Sequence, residues 1–488
     1  MAADNEFTVP EAARRFLEGR GYVLDGTMAA FIARWREWYT RAEGAQSGEV
    51  HDFYNVPYTT MLNGSSQKKH RRRLSLNPAK RACQEWASLV LNEDTAVSVE
   101  GAGANAWLQD WLEANDFWPT GQQMVEGAYA TGTGAWALWA DVREDVAASL
   151  KLRSYDARMV IPLSWDSEGV SECAFCQRVH VGGSPMTQLT LHRMGDAGTY
   201  VIECALFDKE GKAADPEEHG FLAEWDTGCP SPTFGIVKPG ISNTVADSSP
   251  YGQSVFHDAT GGAIQALDMA FDALFQEVKL TEAMVFLDDA LIDVRSQDGR
   301  LIPVAAGDDG DRKFRKLAGQ AGSELYEVYS PEIRTGPLRD ALDVALAEFG
   351  EQCGFGQEYF TLDDHGGLKT ATEVASDNST LMRNIRKHEN ALRRAICQVA
   401  RALLTVARVR SLDAGIEEDF GEVSVTFDDS IITDTKAEKT MMLSEVAAGV
   451  LPRWKYLEKF YGMDEETARA MAAEAAGIPQ EPDPYPAE

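Results

Sequence analysis

Two short acidic clusters are the residues of this chain whose types and spacing could do chemistry. Residues 363–365 read Asp-Asp-His, and Asp288 and Asp289 lie close to Asp293. Clustered carboxylates can hold the two divalent ions of a nuclease, which activate water and stabilise a leaving oxygen. Adjacent acids in a chain with 77 acidic residues are far more often surface residues. A metal-dependent nucleic-acid enzyme is therefore kept as an alternative and not as the main interpretation.

The other motifs of catalytic proteins are incomplete or missing. Residues 366–370 (Gly-Gly-Leu-Lys-Thr) resemble the end of a phosphate-binding loop, but the spacing Gly-x4-Gly-Lys-Thr is not met and no apolar strand precedes them. The sequence contains no Gly-x-Ser-x-Gly, His-Glu-x-x-His or Gly-x-Gly-x-x-Gly. It thus favours a protein that is not an enzyme and that needs no cofactor or metal.

Cys173 and Cys176 form a Cys-x-x-Cys, which is half of a common zinc site. The surrounding residues 172–180 have the composition of a β-strand, and positions three apart on a strand lie on opposite faces of the sheet. No second Cys-x-x-Cys and no spaced pair of histidines accompanies them. We interpret both as ordinary strand cysteines, and the odd, scattered total of seven as reduced thiols.

The charge of the chain argues against tight nucleic-acid binding. Its net charge is −31, whereas affinity for DNA comes mostly from neutralising phosphates. Basic residues concentrate at residues 68–73 (Lys-Lys-His-Arg-Arg-Arg) and along residues 383–410. We interpret the first run as a solvated loop, and the second as a helix face that pairs with acidic neighbours.

Length and hydropathy set the broad class. A chain of 488 residues with 44% apolar content predicts several domains with sizeable cores. No apolar run reaches the length of a membrane span, and the first residues lack the pattern of a secretory signal. We expect a protein that is made and kept in cytoplasm-like surroundings and has no membrane partner.

The strongest structural signal is one long helix over residues 368–410. Apolar residues recur there at helical spacing, no glycine or proline interrupts it, and Thr370 or Thr372 can cap its start. At 1.5 Å per residue such a helix is about 60 Å long. We call it the girder.

The remaining pattern is α+β. Two helices are predicted within residues 9–42, with an aromatic stripe that we assign to the core, and others at residues 77–92 and 119–131. Residues 135–207 read as strands. Asn77 is expected to cap the helix that Pro78 opens.

The next segment of the sequence predicts a stalk with a cap. A helix begins near Val255, and a β insert with a hairpin at residues 291–304 runs from Met284 to Tyr329. A second helix then returns from Pro337 to Cys353. Two helices cannot bury their apolar stripes alone, so we expect copies of the chain alongside. Strand 423–427, three further helices and an acidic tail follow.

Three sequence blocks, taken together, resemble the portal proteins of tailed bacteriophages, especially long-tailed, siphovirus-type phages. The first block comprises residues 35–39 (Trp-Arg-Glu-Trp-Tyr), 52–54 (Asp-Phe-Tyr) and 76–94. The second is residues 250–256 (Pro-Tyr-Gly-Gln-Ser-Val-Phe), and the third is residues 369–379 (Lys-Thr-Ala-Thr-Glu-Val-Ala-Ser-Asp-Asn-Ser). The blocks lie in the order of that family, and the arrangement matches over residues 25–460.

The resemblance implies a head-to-tail connector: a ring, normally of twelve subunits, at one capsid vertex of the virion. Double-stranded DNA would pass through it during packaging and ejection. Its partners would be other copies of itself, the terminase, a head-completion adaptor, and the major capsid and scaffolding proteins. The implied parts are a wing (1–250), a stem helix (251–282), a clip (283–335), a second stem helix (336–353), a tunnel loop (354–369), the long wing helix with a strand (370–430), a helical crown (431–478) and a disordered acidic tail (479–488).

The resemblance also implies roles for particular residues. The tunnel-loop residues are Tyr359, Asp363, Asp364, His365 and Lys369, and the partner-docking clip residues are Asp293, Arg295, Arg300, Arg312 and Lys313. Our hypothesis is that Asp268, Asp272, Asp340 and Asp343 line the stem and repel DNA, while Arg393 and Arg394 pack subunits together. A scaffold or adaptor of another symmetric assembly is the second alternative.

Overall fold

The computed structural model describes residues 9–41, 48–62, 65–92, 95–140, 150–281, 284–288, 293–295, 301–303, 314–317, 326–362, 379–413, 415–427, 442–447, 449–461, 463 and 465–476. Its helices are α1 (Glu11–Glu18), α2 (Ala29–Thr40), α3 (Glu49–Tyr54), α4 (Pro78–Val90), α5 (Ala102–Ala114), α6 (Phe117–Thr131), α7 (Ala263–Leu280), α8 (Thr335–Gln352), α9 (Ser379–Val409), α10 (Arg453–Tyr461) and α11 (Glu465–Ala476).

Its strands are β1 (Asn55–Leu62), β2 (Ser65–Arg72), β3 (Ala96–Val99), β4 (Gly134–Ala140), β5 (Leu150–Asp156), β6 (Val160–Asp166), β7 (Gly169–Val181), β8 (Ser184–Met194), β9 (Tyr200–Phe207), β10 (Ala213–Ala214), β11 (Glu224–Asp226), β12 (Phe234–Val237), β13 (Met284–Asp288), β14 (Asp293–Arg295), β15 (Leu301–Pro303), β16 (Phe314–Leu317), β17 (Tyr326–Tyr329) and β18 (Val423–Thr426). The mixture confirms the α+β class.

The β-rich part is built in layers. Strands β6 to β10 form an antiparallel sheet in the order β10-β9-β8-β7-β6, with β11 beside β9, and β12-β4-β5 form a second sheet. One face of the larger sheet packs on Ala13 and Leu17 of α1, and the other packs on the smaller sheet through Phe175 and Phe234. Cys173 lies in the second of these cores and Cys176 in the first, which confirms that they face opposite sides of a strand.

The girder is the outer layer on the smaller sheet. Seven of its predicted apolar positions are buried: Leu381, Ile385, Leu392, Ile396, Val399, Leu403 and Val406. Its backbone comes so close to the chain at Gly235 and Gly240 that a Cβ atom there would lie 2.6 Å and 2.4 Å from girder carbonyl oxygens. The described helix α9 confirms the girder from residue 379, and the predicted start at Thr370 or Thr372 lies outside the described residues.

The strands between α7 and α8 confirm the β insert. β14 pairs antiparallel with β15, as the predicted hairpin requires, and β13 pairs antiparallel with β17. The sequence reading missed β16, because the run of charges and glycines around residues 307–316 reads as a loop. β16 pairs with β13 in parallel, so the order of that sheet is β16-β13-β17.

Four local predictions were wrong in detail. The basic run 68–73 is predicted as a solvated loop, but residues 68–72 belong to β2. Asn77 precedes α4 as predicted, but it has a left-handed backbone (φ 55°) and no capping side-chain bond. The helix expected from Val255 begins at Ala263, because Gly262, at φ 148°, separates it from a short 3-10 turn. Helix α5 was not foreseen.

His388 fastens the girder to the helical core. Its Nδ1 accepts a hydrogen bond from the Gly240 N–H at 2.9 Å, and its ring lies 4.4 Å from that of Trp86 and 5.1 Å from that of Tyr129. Burial lowers the pKa of His388 to about 3, and burial does the same for His192. Both histidines are therefore neutral in the folded protein at pH 7.

We expect the stability of the folded chain to fall as the pH drops below 6.5. The unfolded histidine has a pKa of 6.5 and the folded His388 about 3, so the unfolded state binds the proton first. Each such histidine should cost about 1.4 kcal/mol of unfolding free energy between pH 7.5 and 5.5. The measurement is urea unfolding at both pH values.

The matched variant is His388→Asn, whose amide oxygen can still accept the Gly240 N–H but does not titrate in this range. Its loss of stability between pH 7.5 and 5.5 should be smaller than that of the natural protein by about the contribution of one histidine. Equal losses in the two proteins would contradict this account of His388.

Candidate functional site: a helix pair and the segments that hold it

The candidate site is built on the helix pair, α7 and α8, which pack side by side. Near the β insert, Glu277 at the end of α7 binds Arg334 at the start of α8 through two hydrogen bonds of 2.9 Å. At the opposite end, Leu267 of α7 and Phe349 of α8 are buried in the same core. The two helices are therefore antiparallel, with the β insert at one end and the main core at the other.

Asp268 of α7 is fully buried and holds the chain that leads into α4. Its carboxylate accepts hydrogen bonds from the Ser75 hydroxyl at 2.6 Å, from the Leu76 N–H at 2.9 Å and from the Tyr54 hydroxyl. Burial raises the pKa of Asp268 above its usual value, and the hydrogen bonds oppose that rise. The predicted role of Asp268 in a channel lining is wrong, because its oxygens face the protein interior.

Asp272, one helical turn further along α7, is bound by the basic run. Its two oxygens accept hydrogen bonds from the Arg71 guanidinium at 2.8 and 2.7 Å, and one also accepts the Leu74 N–H at 3.1 Å. Burial acts to raise the pKa of Asp272, but these bonds and the arginine charge outweigh it and lower that pKa below its usual value. Asp272 is only 3% exposed, so it too cannot line a channel, and the prediction is corrected.

Asp340 and Asp343 of α8 have different surroundings. Asp340 is exposed, and Val344 and Glu348, each one turn apart, are exposed on the same side of the helix. Asp343 is half-buried, and its carboxylate accepts the Leu362 N–H at 2.9 Å. Asp340 is thus free to present charge, whereas Asp343 also positions the chain that follows α8. Their predicted role as a lining stays a prediction.

The chain after α8 is attached to α4. The Trp86 N–H donates to the Cys353 carbonyl at 2.9 Å, and the ring of Phe355 stacks on that of Trp86 at 4.5 Å. Tyr359 stacks on Phe355 at 4.7 Å and donates its hydroxyl to Glu85 at 2.7 Å. Tyr359, predicted as a DNA-facing tunnel-loop residue, is half-buried and has its hydroxyl bound to this helix, and its role at the DNA stays a prediction.

Several predicted site residues lie outside the described ranges or on strands of the β insert. Asp363, Asp364, His365, Lys369, Arg300, Arg312 and Lys313 lie outside the described residues, as does the acidic tail. Asp293 and Arg295 lie on the paired strand β14, opposite Pro303 and Leu301 of β15. Their assignment to a docking clip stays a prediction.

Arg393 and Arg394 are exposed on the girder and contact their own chain. Arg393 lies over the ring of Phe427 at 5.4 Å, and Arg394 donates to the Glu168 carbonyl. Further along the girder, Arg408 donates to the Glu418 carbonyl and Arg410 to the Asp226 carbonyl. Part of the basic face therefore pairs with backbone oxygens of the same subunit, and its predicted pairing with neighbours stays a prediction.

The described residues contain no candidate metal site. No group of three or more His, Cys, Asp or Glu side chains among the described residues could hold a metal ion. Burial raises the pKa of Cys176 to about 12, so this thiol is protonated and inert at neutral pH. Within the same ranges, no helix is long and apolar enough to cross a membrane.

Sequence reasoning missed the two ion pairs that hold the helix pair. Arg71 and Asp272 are 201 positions apart, and Glu277 and Arg334 are 57 apart, so no local spacing reveals either pair. One available signal was the acids at 268 and 272, which share a face with the buried residues Ile264 and Leu267 of an amphipathic helix. Carboxylates on the buried side of a helix require partners.

Comparison with known proteins identifies a family over part of the chain. The family model described as "Phage portal protein, SPP1 Gp6-like" matches residues 280–481. That range covers less than half of the chain and contains the third resemblance block but not the first two, and over it the predicted resemblance to portal proteins is confirmed. No curated protein sequence matches the chain.

Among solved structures, a chain from the neck of a native GTA particle, computed with C12 symmetry, matches at 11% sequence identity and a TM-score of 0.34. The match covers 82% of this chain and 90% of that one.

We expect Asp272→Ala to destabilise the folded chain by about 1–3 kcal/mol. The substitution leaves the Arg71 guanidinium and the Leu74 N–H without their acceptor in a largely closed site. Asp340→Ala is the matched control, since it removes the same group from an exposed position of the helix pair and should change stability by no more than about 0.5 kcal/mol. Urea unfolding measures both, and equal effects would contradict the assigned anchor role of Asp272.

Proposed function

We infer that this chain is a subunit of a phage portal, the ring-shaped connector at one vertex of a capsid. The match of residues 280–481 to the portal family carries this conclusion. The helix pair supports it, because an antiparallel pair that carries a small β insert at its free end suits a stem with a clip. In this proposal α7 and α8 are the stem, residues 283–335 the clip, and the α1-to-β12 part with the girder the wing.

The exposed side chains of the helix pair support assembly into a ring. Near the β insert, α7 presents Phe275 and Val278, with exposed fractions of 43% and 50%. Monomeric proteins rarely leave neighbouring large apolar side chains uncovered on one element. Side-by-side copies of the stem would bury them, and a closed ring leaves none of these faces open.

In the proposed ring, double-stranded DNA passes through the lumen without binding tightly to its wall. Twelve copies at −31 would carry about −372 charges, and a negatively charged lumen repels the phosphates of double-stranded DNA. In this proposal Asp340 belongs to the stem surface that faces the DNA, and the residues after 362 form the tunnel loop. The terminase, a head-completion adaptor, and the capsid and scaffolding proteins are the proposed partners. The proposed subunit catalyses no reaction itself and becomes part of the virion.

We expect the purified protein to form rings, and the change Val278→Asp to weaken them. Twelve chains of 53.5 kDa give a particle of about 640 kDa, which native mass spectrometry resolves from other stoichiometries. An added carboxylate at Val278 would be buried without a partner between two stems, and should reduce the ring fraction at equal concentration at least tenfold.

The matched control is Val23→Asp, which makes the same change at a valine that is 82% exposed and distant in sequence from the helix pair. This variant should assemble like the natural protein. A natural protein that remains monomeric at high concentration, also with its scaffolding protein present, would contradict the proposed function.

We expect Asp340→Lys to slow DNA translocation. The change adds two positive charges per subunit, so that a lumen ring of lysines would attract phosphates that must pass freely. The measurement is the amount of DNA packaged per unit time by procapsids that contain the variant. Glu218→Lys, an equal change of charge at an exposed residue in the wing, is the control. Equal packaging rates for the two variants and the natural protein would contradict the assignment of Asp340 to the channel lining.

A further inference from the structure

Strands β1 and β2 form a two-stranded hairpin that projects from the body of the subunit; we call it the basic hairpin. Its register pairs Tyr58 with Lys69 and Thr59 with Lys68. Residues 57–59 of β1 and 66–70 of β2 are exposed without interruption. Because successive residues of a strand point to opposite faces, neither face of the hairpin is covered in this stretch.

The base of the hairpin, in contrast, is fixed to the helix pair and to α3. Arg71 forms its two bonds to Asp272 of α7. Arg73 donates to the Phe53 carbonyl at 3.1 Å, and its guanidinium lies 4.3 Å from the centre of the Phe53 ring. The hairpin therefore leaves the subunit in a direction that is set by buried contacts.

The projecting part is basic in a chain that is strongly acidic. Lys68 and Lys69 form no ion pair with any residue in the described ranges, although the chain carries 77 acidic and 46 basic residues. The half-exposed ring of Tyr58 lies beside Lys69 across the strands. An isolated two-stranded hairpin is at best marginally stable in water, so the projection gains most when a partner covers it.

The hairpin is better suited to side-chain contacts than to strand addition. Pro57 removes one backbone N–H from β1, and lysines on an edge strand oppose pairing with a further strand. The expected contact surface is therefore a complementary patch of carboxylates.

We propose that the basic hairpin docks on an acidic surface of the neighbouring copy of this chain. The proposal rests on the ring of the proposed function and adds the contact that holds it. A second copy fits because its net charge of −31 provides an excess of carboxylates for the lysines to contact. DNA is a less suitable partner, because a projecting pair of lysines would retain DNA that the lumen must release.

This contact has a structural consequence. Arg71 and the docking lysines lie on one strand, and Arg71 is bound to Asp272 of the helix pair. The neighbouring subunit is thereby attached to the position of α7. The angle between adjacent stems is then set at the wing as well as along the stems.

Carbodiimide cross-linking of the natural protein tests the contact directly. The reagent joins an amine to a carboxylate that touches it, and rings assembled from a mixture of ¹⁴N and ¹⁵N chains distinguish links between copies from links within one. We expect mixed-isotope cross-links from Lys68 or Lys69 to Asp or Glu residues. Rings that form but give no such link between copies would overturn the proposal while leaving the proposed function intact.

A charge reversal gives the second test. Lys68→Glu with Lys69→Glu should raise the protein concentration at which half the chains are in rings by roughly tenfold at low salt, and less at high salt, because screening weakens surface charge contacts. The control is Lys209→Glu with Lys212→Glu, an equal change of charge at two exposed lysines. Thermal unfolding verifies that both variants fold.

The remaining outcomes are distinct. Assembly of the hairpin variant at the concentrations of the control would overturn the proposal. If that variant also loses binding to a linear DNA duplex, then DNA, and not a second copy, occupies the hairpin. Failure of the natural protein to form rings under any condition would overturn both this inference and the proposed function.

Discussion

The packing around Trp86 is the interaction on which the described structure depends. Its ring is fully buried between Phe355, which follows α8, and His388 of the girder, at 4.5 and 4.4 Å. Its N–H has one polar partner, the Cys353 carbonyl. The Trp86 side chain thus joins α4, the end of the helix pair and the girder at one point. Its single hydrogen bond orients the ring, which apolar burial alone would not do.

That arrangement links the helix pair to the layered, β-rich part of the chain. Asn384 of the girder donates to the Gly354 carbonyl at 2.8 Å, and Gly240 beside the smaller sheet donates to His388. Each bond joins segments that are far apart in sequence and satisfies a backbone group that burial would otherwise leave unpaired. A shift of α8 along its axis would therefore displace the girder, and the girder would displace the sheet on which it packs. In the proposed ring, this connection would transmit movements at the channel to the outer wing.

The sequence predicted the elements that repeat an apolar period and failed where the constraint is tertiary. The girder, the β14–β15 hairpin of the β insert and the aromatic stripe of α2 follow from spacing alone, because a regular element imposes its period on the residues. The start of α7 could not be placed, since Gly262 at φ 148° breaks the helix within an apolar pattern that continues on both sides. The roles of Asp268 and Asp272 could not be read either, because their partners lie about 200 positions earlier in the chain.

The acids of the helix pair show why net charge does not determine function residue by residue. The carboxylate of Asp272 forms an ion pair with Arg71, so it stabilises the subunit and contributes little charge at the surface. Asp340, on α8, is exposed to solvent. Asp272 also neutralises Arg71, a base that would otherwise attract DNA. Lys68 and Lys69 of the same strand are exposed. In the proposed ring, this short strand would support one subunit through Arg71 and contact the next through its lysines, which a uniformly charged surface could not do.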